Sequence, residues 1–141
     1  MQAKYILRLI FLLLLPLLGL RGEDYVVVAN KGTEVKQLPK QEMKEILLGI
    51  RSNWADGTLV RLVVQGEGAV HEHVLKDFMR MTPYQYDRYW KRLVFSGNGV
   101  MPETLRNDQE VLAYVSRTPG AIGYVSSSTS LSQVKVVPIL D

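Results

Sequence analysis

Two histidines, His71 and His73, are the side chains of this sequence best suited to metal binding or acid–base chemistry. On a helix, residues two apart point about 200° apart, so this pair cannot bind one ion together. Glu67 and Glu72 are the only nearby carboxylates that could complete a zinc shell. The spacing therefore argues against a metal site. It predicts a partly buried, hydrogen-bonded His71, in phase with the apolar residues of its helix, and a solvated His73.

Nucleophilic catalysis has even less support in the sequence. The chain contains no cysteine, and it has no Gly-x-Ser-x-Gly motif of the kind that exposes a catalytic serine. Five of its serines lie in residues 126–132, far in sequence from both histidines. We predict that the protein is not an enzyme and that it uses neither a cofactor nor a metal.

A glycine-rich turn at residues 65–69 (QGEGA) is a candidate anion site. It lies between a predicted strand and a predicted helix. A turn of this kind exposes backbone N–H groups and the positive end of the helix dipole, which attract anions. A Gly-x-Gly turn is common, however, and by itself it usually only connects two elements.

Apolar runs and helical periodicities alternate along the chain and predict an α/β domain of two or three layers. Strands are predicted at residues 25–28, 59–65, 121–125 and 134–139. The last of these is predicted at an edge, because Pro138 cannot donate to a strand ladder. Helices are predicted after Pro39, Gly68, Thr82 and Asn107. The predicted order is β-α-β-α-α-α-β-β.

The helix that begins with Thr82 and Pro83 has the clearest periodicity. Its apolar positions follow at i, i+3, i+4, i+7 and i+8, and they are Tyr86, Tyr89, Trp90, Leu93 and Val94. This spacing predicts core packing rather than an aromatic surface for stacking ligands.

The first 22 residues have the character of a secretory signal peptide. Lys4 and Arg8 precede twelve uncharged residues (9–20), and small residues follow at Gly19 and Gly22. The apolar run is too short for a spanning helix, which needs about 20 such residues. We expect cleavage after Gly22, export to the periplasm, and a mature domain (residues 23–141) without a membrane span. An uncleaved N-terminal anchor is the alternative.

Removing this leader changes the charge of the protein. The chain has 17 basic and 14 acidic residues. Lys4, Arg8 and Arg21 lie in the leader and all the acidic residues follow it, so the mature domain is formally neutral. It therefore lacks the electrostatic footprint of a nucleic-acid-binding protein. A basic cluster at Arg88, Lys91 and Arg92 is interpreted as a solvated helix face.

Several segments, in order along the mature chain, resemble the phosphate-binding branch of the periplasmic solute-binding proteins that serve ABC transporters. Residues 25–30 (YVVVAN) resemble the strand that opens one lobe, and residues 45–49 (EILLG) with 54–57 (WADG) resemble a helix and the tryptophan turn after it. Residues 89–90 (YW) and 95–99 (FSGNG), with Pro102, resemble the short members. Residues 118–125 (TPGAIGYV) are similar to the family's Pro-Gly-x-Ile-Gly-Tyr motif. The resemblance implies an α/β fold class, with a mixed sheet flanked by helices, as a single lobe of a type II periplasmic binding protein-like fold.

The chain departs from this family in two ways. Full-length members have two lobes that close on the anion, whereas the 119 residues after the leader suffice for about one lobe. The family's anion turn also carries an arginine and a serine-glycine-threonine step. Here Gln65 and residues 67–69 (EGA), or in another register residues 72–74 (EHV), stand in their place. A glutamate opposes the attraction of a helix N-terminus for phosphate, and the charged donors are missing.

The resemblance implies a non-enzymatic periplasmic solute-binding protein, associated with phosphate transport, that binds phosphate or another small oxyanion weakly. Its ligand would contact backbone N–H groups of residues 66–71, so the candidate ligand-binding residues are Asn30, Gly66, Glu67, Gly68, Ala69 and His71. A protonated His71 would make binding tighter near pH 6 than near pH 8. The alternative is a ligand-free interaction module that binds an envelope or transporter protein through the former inter-lobe face, with Trp54 as its first candidate contact.

Overall fold

The computed structural model describes residues 24–141, and the predicted signal peptide with its cleavage site lies outside the described residues. Strands and helices follow one another as β1 (Tyr25–Ala29), β2 (Leu38–Pro39), α1 (Lys40–Leu47), β3 (Arg61–Gln65), α2 (Ala69–Met79), α3 (Pro83–Phe95), β4 (Glu103–Leu105), α4 (Asp108–Arg117), β5 (Ala121–Ser126), β6 (Lys135–Val136) and β7 (Ile139–Leu140). Within this part of the chain, no helix is both long enough and apolar enough to cross a bilayer.

Five strands form one mixed sheet in the order β4-β3-β5-β1-β6. Strand β3 is parallel to β4 and β5, whereas β1 is antiparallel to β5 and β6. Parallel strands end at the same edge, so Gln65, Leu105 and Ser126 mark one edge, which we call the carboxyl edge. Strand β1 ends at the opposite edge, the amino edge, beside Asn30. Strands β2 and β7 form a separate parallel pair.

Helices cover both faces of the five-stranded sheet. One hydrophobic cluster joins α1, α2 and α3 to side chains such as Val27, Val64 and Tyr124. The other cluster joins α4 to the alternate residues, including Val28 and Val63. Successive side chains of a strand point to opposite faces, which explains this division. Residues 24–141 therefore form a three-layer domain, with one hydrophobic core on each face of the sheet.

The ends of the helices follow the predicted local rules. Thr82 caps α3 in a capping box, in which its hydroxyl accepts from the Gln85 N–H at 3.2 Å and its own N–H donates to the Gln85 side chain at 2.9 Å. Asn107 caps α4 by accepting from the Glu110 N–H at 3.0 Å. Gly49 follows α1 with a φ of 71°, a conformation that favours glycine.

Helix α3 is held against the end of α1 by its aromatic residues. The Tyr86 hydroxyl and the Trp90 indole both donate to the Leu47 carbonyl, at 2.7 and 3.2 Å. Tyr86 and Trp90 are each 4% exposed, which confirms their predicted place in the core. Val94, at the end of the same pattern, is 37% exposed because the helix stops one residue later.

The structure differs from the predicted elements in its short strands. Strand β2 was not expected, because Pro39 was predicted to lead into a helix. Strand β4 was not expected, because residues 103–105 are too short and too exposed to give a strand pattern. The predicted strand at 134–139 is divided into β6 and β7 by Val137 and Pro138. The Pro138 carbonyl accepts from Leu38 N–H at 3.0 Å, so the chain leaves the large sheet here and joins β2.

Gly120, at the amino edge, provides a test of the packing. Its φ is 79°, and a Cβ there would overlap the backbone oxygen of Leu59. We expect Gly120→Ala to lower the free energy of unfolding by more than about 3 kcal/mol, because both backbone strain and a backbone clash are introduced. Gly57→Ala is the matched control, because Gly57 has a φ of 89° but nothing lies within 4 Å of a Cβ there. Urea unfolding that gives equal losses for the two variants would contradict this close approach.

Candidate functional site

An open depression lies at the carboxyl edge, where the first turns of α2 and α4 come together. Its volume is about 800 Å³. It is lined by Gln65, Glu67, Gly68, Ala69, Val70, Glu72, Arg106, Asn107, Asp108, Gln109 and Thr129. In an α/β sheet, the crevice beyond the carboxyl ends of the parallel strands is the usual place for a ligand.

The N-terminus of α2 opens on this depression without a side-chain cap. Gly68 precedes the helix with a φ of 99°, and a Cβ at this position would meet nothing within 4 Å. No side chain caps α2 or α1, in contrast to the capped helices α3 and α4. The N–H groups of the first helical residues, Ala69, Val70 and His71, have no acceptor within the helix. They form the positive end of the helix dipole, which attracts anions.

A buried hydrogen-bond network fixes the elements beneath the depression. The Tyr124 hydroxyl accepts from the Gln65 backbone N–H at 3.1 Å and lies 2.6 Å from Nδ1 of His71. The Gln65 side-chain amide donates to Asp108 Oδ1 at 2.7 Å and to the Tyr124 carbonyl at 3.3 Å. His71 is 3% exposed, so the predicted buried and hydrogen-bonded histidine is confirmed. The network joins α2, β5, β3 and α4.

Burial decides the charge of the network. It lowers the pKa of His71 to about 4, because the charged imidazolium is poorly solvated there. It also raises the pKa of Tyr124, so the phenol keeps its proton. The phenol can therefore donate a hydrogen bond to Nδ1 of a neutral His71. His71 is therefore neutral at both pH 6 and pH 8, and the expectation that its protonation tightens anion binding near pH 6 is wrong.

Asp108 binds the donors at the α4 side of the depression. Its Oδ1 accepts from Gln65, and its Oδ2 accepts from the Ser126 N–H at 3.2 Å and from the Thr129 hydroxyl at 2.8 Å. Asp108 lies in the first turn of α4, where a carboxylate also interacts favourably with the helix dipole. Three donors that an external oxyanion could use are thus already bound to a carboxylate of the protein itself.

The remaining charges of the depression do not attract anions strongly. Glu67 and Glu72 are exposed on its wall. Arg106 donates to the Glu110 carboxylate from Nη2 at 2.8 Å and from Nε at 3.1 Å. This hydrogen bonding raises the pKa of Arg106, while the Arg106 backbone N–H and guanidinium lower the pKa of Glu110. The one basic side chain on the wall is therefore paired with a carboxylate.

The structure brings only part of the predicted site together. Glu67, Gly68 and Ala69 line the depression. Gly66 does not, because its N–H donates to the Leu105 carbonyl at 3.2 Å and continues the pairing of β3 with β4. The N–H of His71 belongs to the open first turn of α2, but its side chain contacts Tyr124.

Asn30 is not part of this site. Its side-chain amide donates to the carbonyls of Val115 and Ser116 at 2.8 and 3.2 Å, at the end of α4. Strand β1 runs antiparallel to β5, so it ends at the amino edge, one strand length away from the depression. Asn30 therefore lies apart from the other predicted ligand-binding residues.

Trp54 also lies at the amino edge. Its indole N–H donates to the Gly120 carbonyl at 3.0 Å, and its half-buried ring packs against the larger hydrophobic cluster. It holds the loop before β3 to the start of β5 and does not face the depression. Among residues 24–141, no group of three or more His, Asp or Glu side chains is placed to hold a metal ion.

Sequence reasoning missed the side chains that close the α4 side of the depression. Asp108 could be recognised as a first-turn carboxylate after the Asn107 cap, but its partners come from β3 and from the loop after β5. Tyr124 was recognised only as part of the PGAIGYV segment. No local pattern predicts the contacts of Tyr124 with Gln65 and His71, which lie more than 50 residues away in sequence.

Solved structures with similar folds include phosphate-transport binding proteins. One is an ABC-type phosphate transport receptor from Vibrio cholerae, with 14% sequence identity and a TM-score of 0.56. Another, from Clostridium perfringens, is described as a phosphate ABC transporter substrate-binding protein with bound phosphate, with 20% identity and a TM-score of 0.57. A third is PstS from Borrelia burgdorferi, with 12% identity and a TM-score of 0.57.

These similarities define the fold and its extent. Each covers 82% of this chain but only 46%, 44% and 47% of the respective neighbour, so the chain spans less than half the length of these proteins. No protein-family model matches the chain, and no curated protein sequence matches it. The predicted fold class, a periplasmic binding protein-like α/β domain with a mixed sheet flanked by helices, is confirmed.

The low pKa of His71 predicts a loss of stability in acid. Between the unfolded value of 6.5 and the folded value of about 4, the unfolded chain binds more protons than the folded one. Stability should therefore be complete above pH 6.5 and should fall as the pH drops towards 4, by up to about 3 kcal/mol. Urea unfolding measured from pH 7 to pH 4 tests this.

Variants of the two histidines show which of them causes the loss of stability in acid. His71→Gln should remove most of this pH dependence, whereas His73→Gln should keep it. His73 is the matched control because its ring is more exposed and lies beside the carboxylates of Asp24 and Asp77. A fall in stability that disappears in His73→Gln but persists in His71→Gln would contradict the assignment.

Proposed function

We propose that this protein is an exported, non-enzymatic, solute-binding-like lobe that binds phosphate or another small oxyanion weakly at the first turn of α2. The observation that carries the proposal is the uncapped N-terminus of α2, which opens on the depression at the carboxyl edge. The leader pattern of residues 1–22 supports export to the periplasm. The similar folds of phosphate-transport binding proteins support the choice of ligand class.

The composition of the depression explains why binding should be weak. The proposed donors are the backbone N–H groups of Ala69, Val70 and His71, while Glu67 and Glu72, which line the depression, repel an anion. The depression is open, so water continues to compete for the ligand. We expect a dissociation constant for phosphate on the order of 1 mM, which corresponds to about 4 kcal/mol of binding free energy.

Removing the two glutamates should strengthen binding. In Glu67→Gln/Glu72→Gln, two negative charges close to the helix N-terminus are lost while the size of both side chains is kept. We expect the dissociation constant for phosphate to fall by about tenfold at low ionic strength, and by less in 0.5 M salt, because the repulsion is screened. Calorimetric titration of both proteins with inorganic phosphate measures this change.

Glu34→Gln/Glu42→Gln is the matched control. It removes the same charge from a separate cavity beside Trp54, at the amino edge. We expect it to leave phosphate binding within about twofold of the wild type, because the distance and the solvent screen the charges. Equal tightening in both double variants would indicate a general charge effect and would contradict a site at α2. The absence of heat in every protein at tens of millimolar phosphate would contradict oxyanion binding itself.

The alternative, a ligand-free module that binds an envelope protein through the former inter-lobe face, has less support. An interaction module of this kind would have exposed aromatic side chains at the depression. Val70 is the largest apolar residue in its wall, and Trp54 lies at the opposite edge. The geometry therefore favours a small polar ligand over a protein at the carboxyl edge.

A further inference from the structure

A stripe of aromatic and basic side chains runs along the solvent-facing side of α3. It consists of Tyr84, Arg88, Lys91, Arg92 and Phe95, and we call these five residues the α3 stripe. They follow one another at i, i+4, i+7, i+8 and i+11, and all are exposed. Phe95 is 96% exposed and Tyr84 is 67% exposed. The stripe lies opposite the side of α3 that buries Tyr86 and Trp90.

The two aromatic rings lie at the ends of the stripe and the cations lie between them. Eleven residues separate Tyr84 from Phe95, about 16 Å along the helix axis. The Arg88 guanidinium lies 5.7 Å from the centre of the Tyr84 ring and donates to its hydroxyl at 3.1 Å. Lys91 pairs with Asp87 at 2.7 Å, which offsets its charge, so the net positive charge of the stripe comes from Arg88 and Arg92.

Further apolar side chains are exposed at the Phe95 end. Val100 is 86% exposed and Met101 is 43% exposed, in the loop that follows α3. Val94 is 37% exposed in the last turn of the helix. The backbone of Gly99 lies close to the side chains of Leu93 and Trp90. The loop therefore folds back on the end of α3. Exposed apolar residues that lie close together, unlike single ones, mark interaction sites.

We propose that the α3 stripe docks this domain on an anionic phospholipid surface. Arg88 and Arg92 are attracted to anionic headgroups, and each can contribute on the order of 1 kcal/mol close to the surface, while Lys91 contributes less because of Asp87. Phe95, with Val94, Val100 and Met101, supplies apolar groups that can enter the boundary between headgroups and acyl chains. Tyr84 has the amphipathic ring that membrane interfaces favour.

The charge distribution favours a lipid surface over a protein partner. The domain after residue 22 is formally neutral, so its attraction to an anionic surface must come from a local cluster such as this one. Phe95 is 96% exposed, so its ring is free to enter the boundary between headgroups and acyl chains. This inference does not depend on oxyanion binding, because the stripe and the depression share no residues.

Vesicle binding by the mature chain, residues 23–141, tests the proposal. This part contains both hydrophobic clusters, and it lacks the apolar leader, which could itself bind lipid. We expect co-sedimentation with vesicles of phosphatidylcholine and phosphatidylglycerol, and little with phosphatidylcholine alone. Binding should weaken steeply as salt is raised, because the cations act through a screened field.

Two sets of variants separate charge from apolar insertion. Arg88→Gln/Lys91→Gln/Arg92→Gln should lower the partition coefficient by at least about tenfold. Phe95→Ser should lower it by about tenfold while keeping the charge. The matched controls are Lys31→Gln/Lys36→Gln/Lys40→Gln, which removes three exposed cations elsewhere, and Ile50→Ser, at a residue that is 67% exposed. Thermal unfolding by circular dichroism verifies that each protein is folded.

Three results would overturn the proposal. The first is a lack of vesicle binding by the folded wild-type domain at low salt. The second is an equal loss of binding in the α3 variants and in their controls. The third is a dimer that dissociates in Phe95→Ser, together with vesicle binding that does not respond to the stripe. That outcome would assign the exposed apolar residues to contacts between two copies of the chain.

Discussion

The hydroxyl of Tyr124 is the contact on which the carboxyl edge depends. It accepts from the Gln65 backbone and lies against His71, while the Gln65 side chain continues to Asp108. Tyr124 is fully buried, and the hydrogen bonds hold four elements that are distant in sequence. Each of these polar groups would cost free energy if it were buried without its partner. The network therefore fixes where α2 and α4 begin.

The two helix starts at this edge are chemically different. The first turn of α4 carries Asp108, whose carboxylate is satisfied by the Ser126 N–H, the Thr129 hydroxyl and Gln65. Asn107 caps the N-terminus of α4, whereas the N-terminus of α2 has no side-chain cap and opens on the depression. The fold thus presents one helix N-terminus to solvent while it satisfies the other internally. A single open helix N-terminus with two glutamates nearby suits weak rather than tight anion binding.

Local rules account for much of the fold. The Thr82 and Asn107 caps and the core side of α3 were predicted because each depends on residues within one or two helical turns. Strand β4 and the division of the last strand were not, because both depend on pairing with distant segments. The resemblance of residues 118–125 to a family motif indicated the fold class, and Tyr124 lies within them.

The candidate site was predictable only where it is local. Glu67, Gly68 and Ala69 follow from a glycine turn before a helix, and they do line the depression. The position of Asn30 could not be predicted, because the sequence does not give the direction of β1 in the sheet. The antiparallel pairing of β1 with β5 places Asn30 at the other edge. The neutral charge of His71 could not be predicted either, because it depends on how far the folded chain buries the ring.

The central claim is that the open first turn of α2 binds an oxyanion through its backbone. Titration of the ¹⁵N-labelled domain with inorganic phosphate tests it most directly, with sodium chloride of equal ionic strength as the reference. The account predicts saturable shifts of the Ala69, Val70 and His71 amide signals, with the Asn30 side-chain amide unchanged. Saturable shifts confined to other residues, or no shifts at tens of millimolar phosphate, would contradict it.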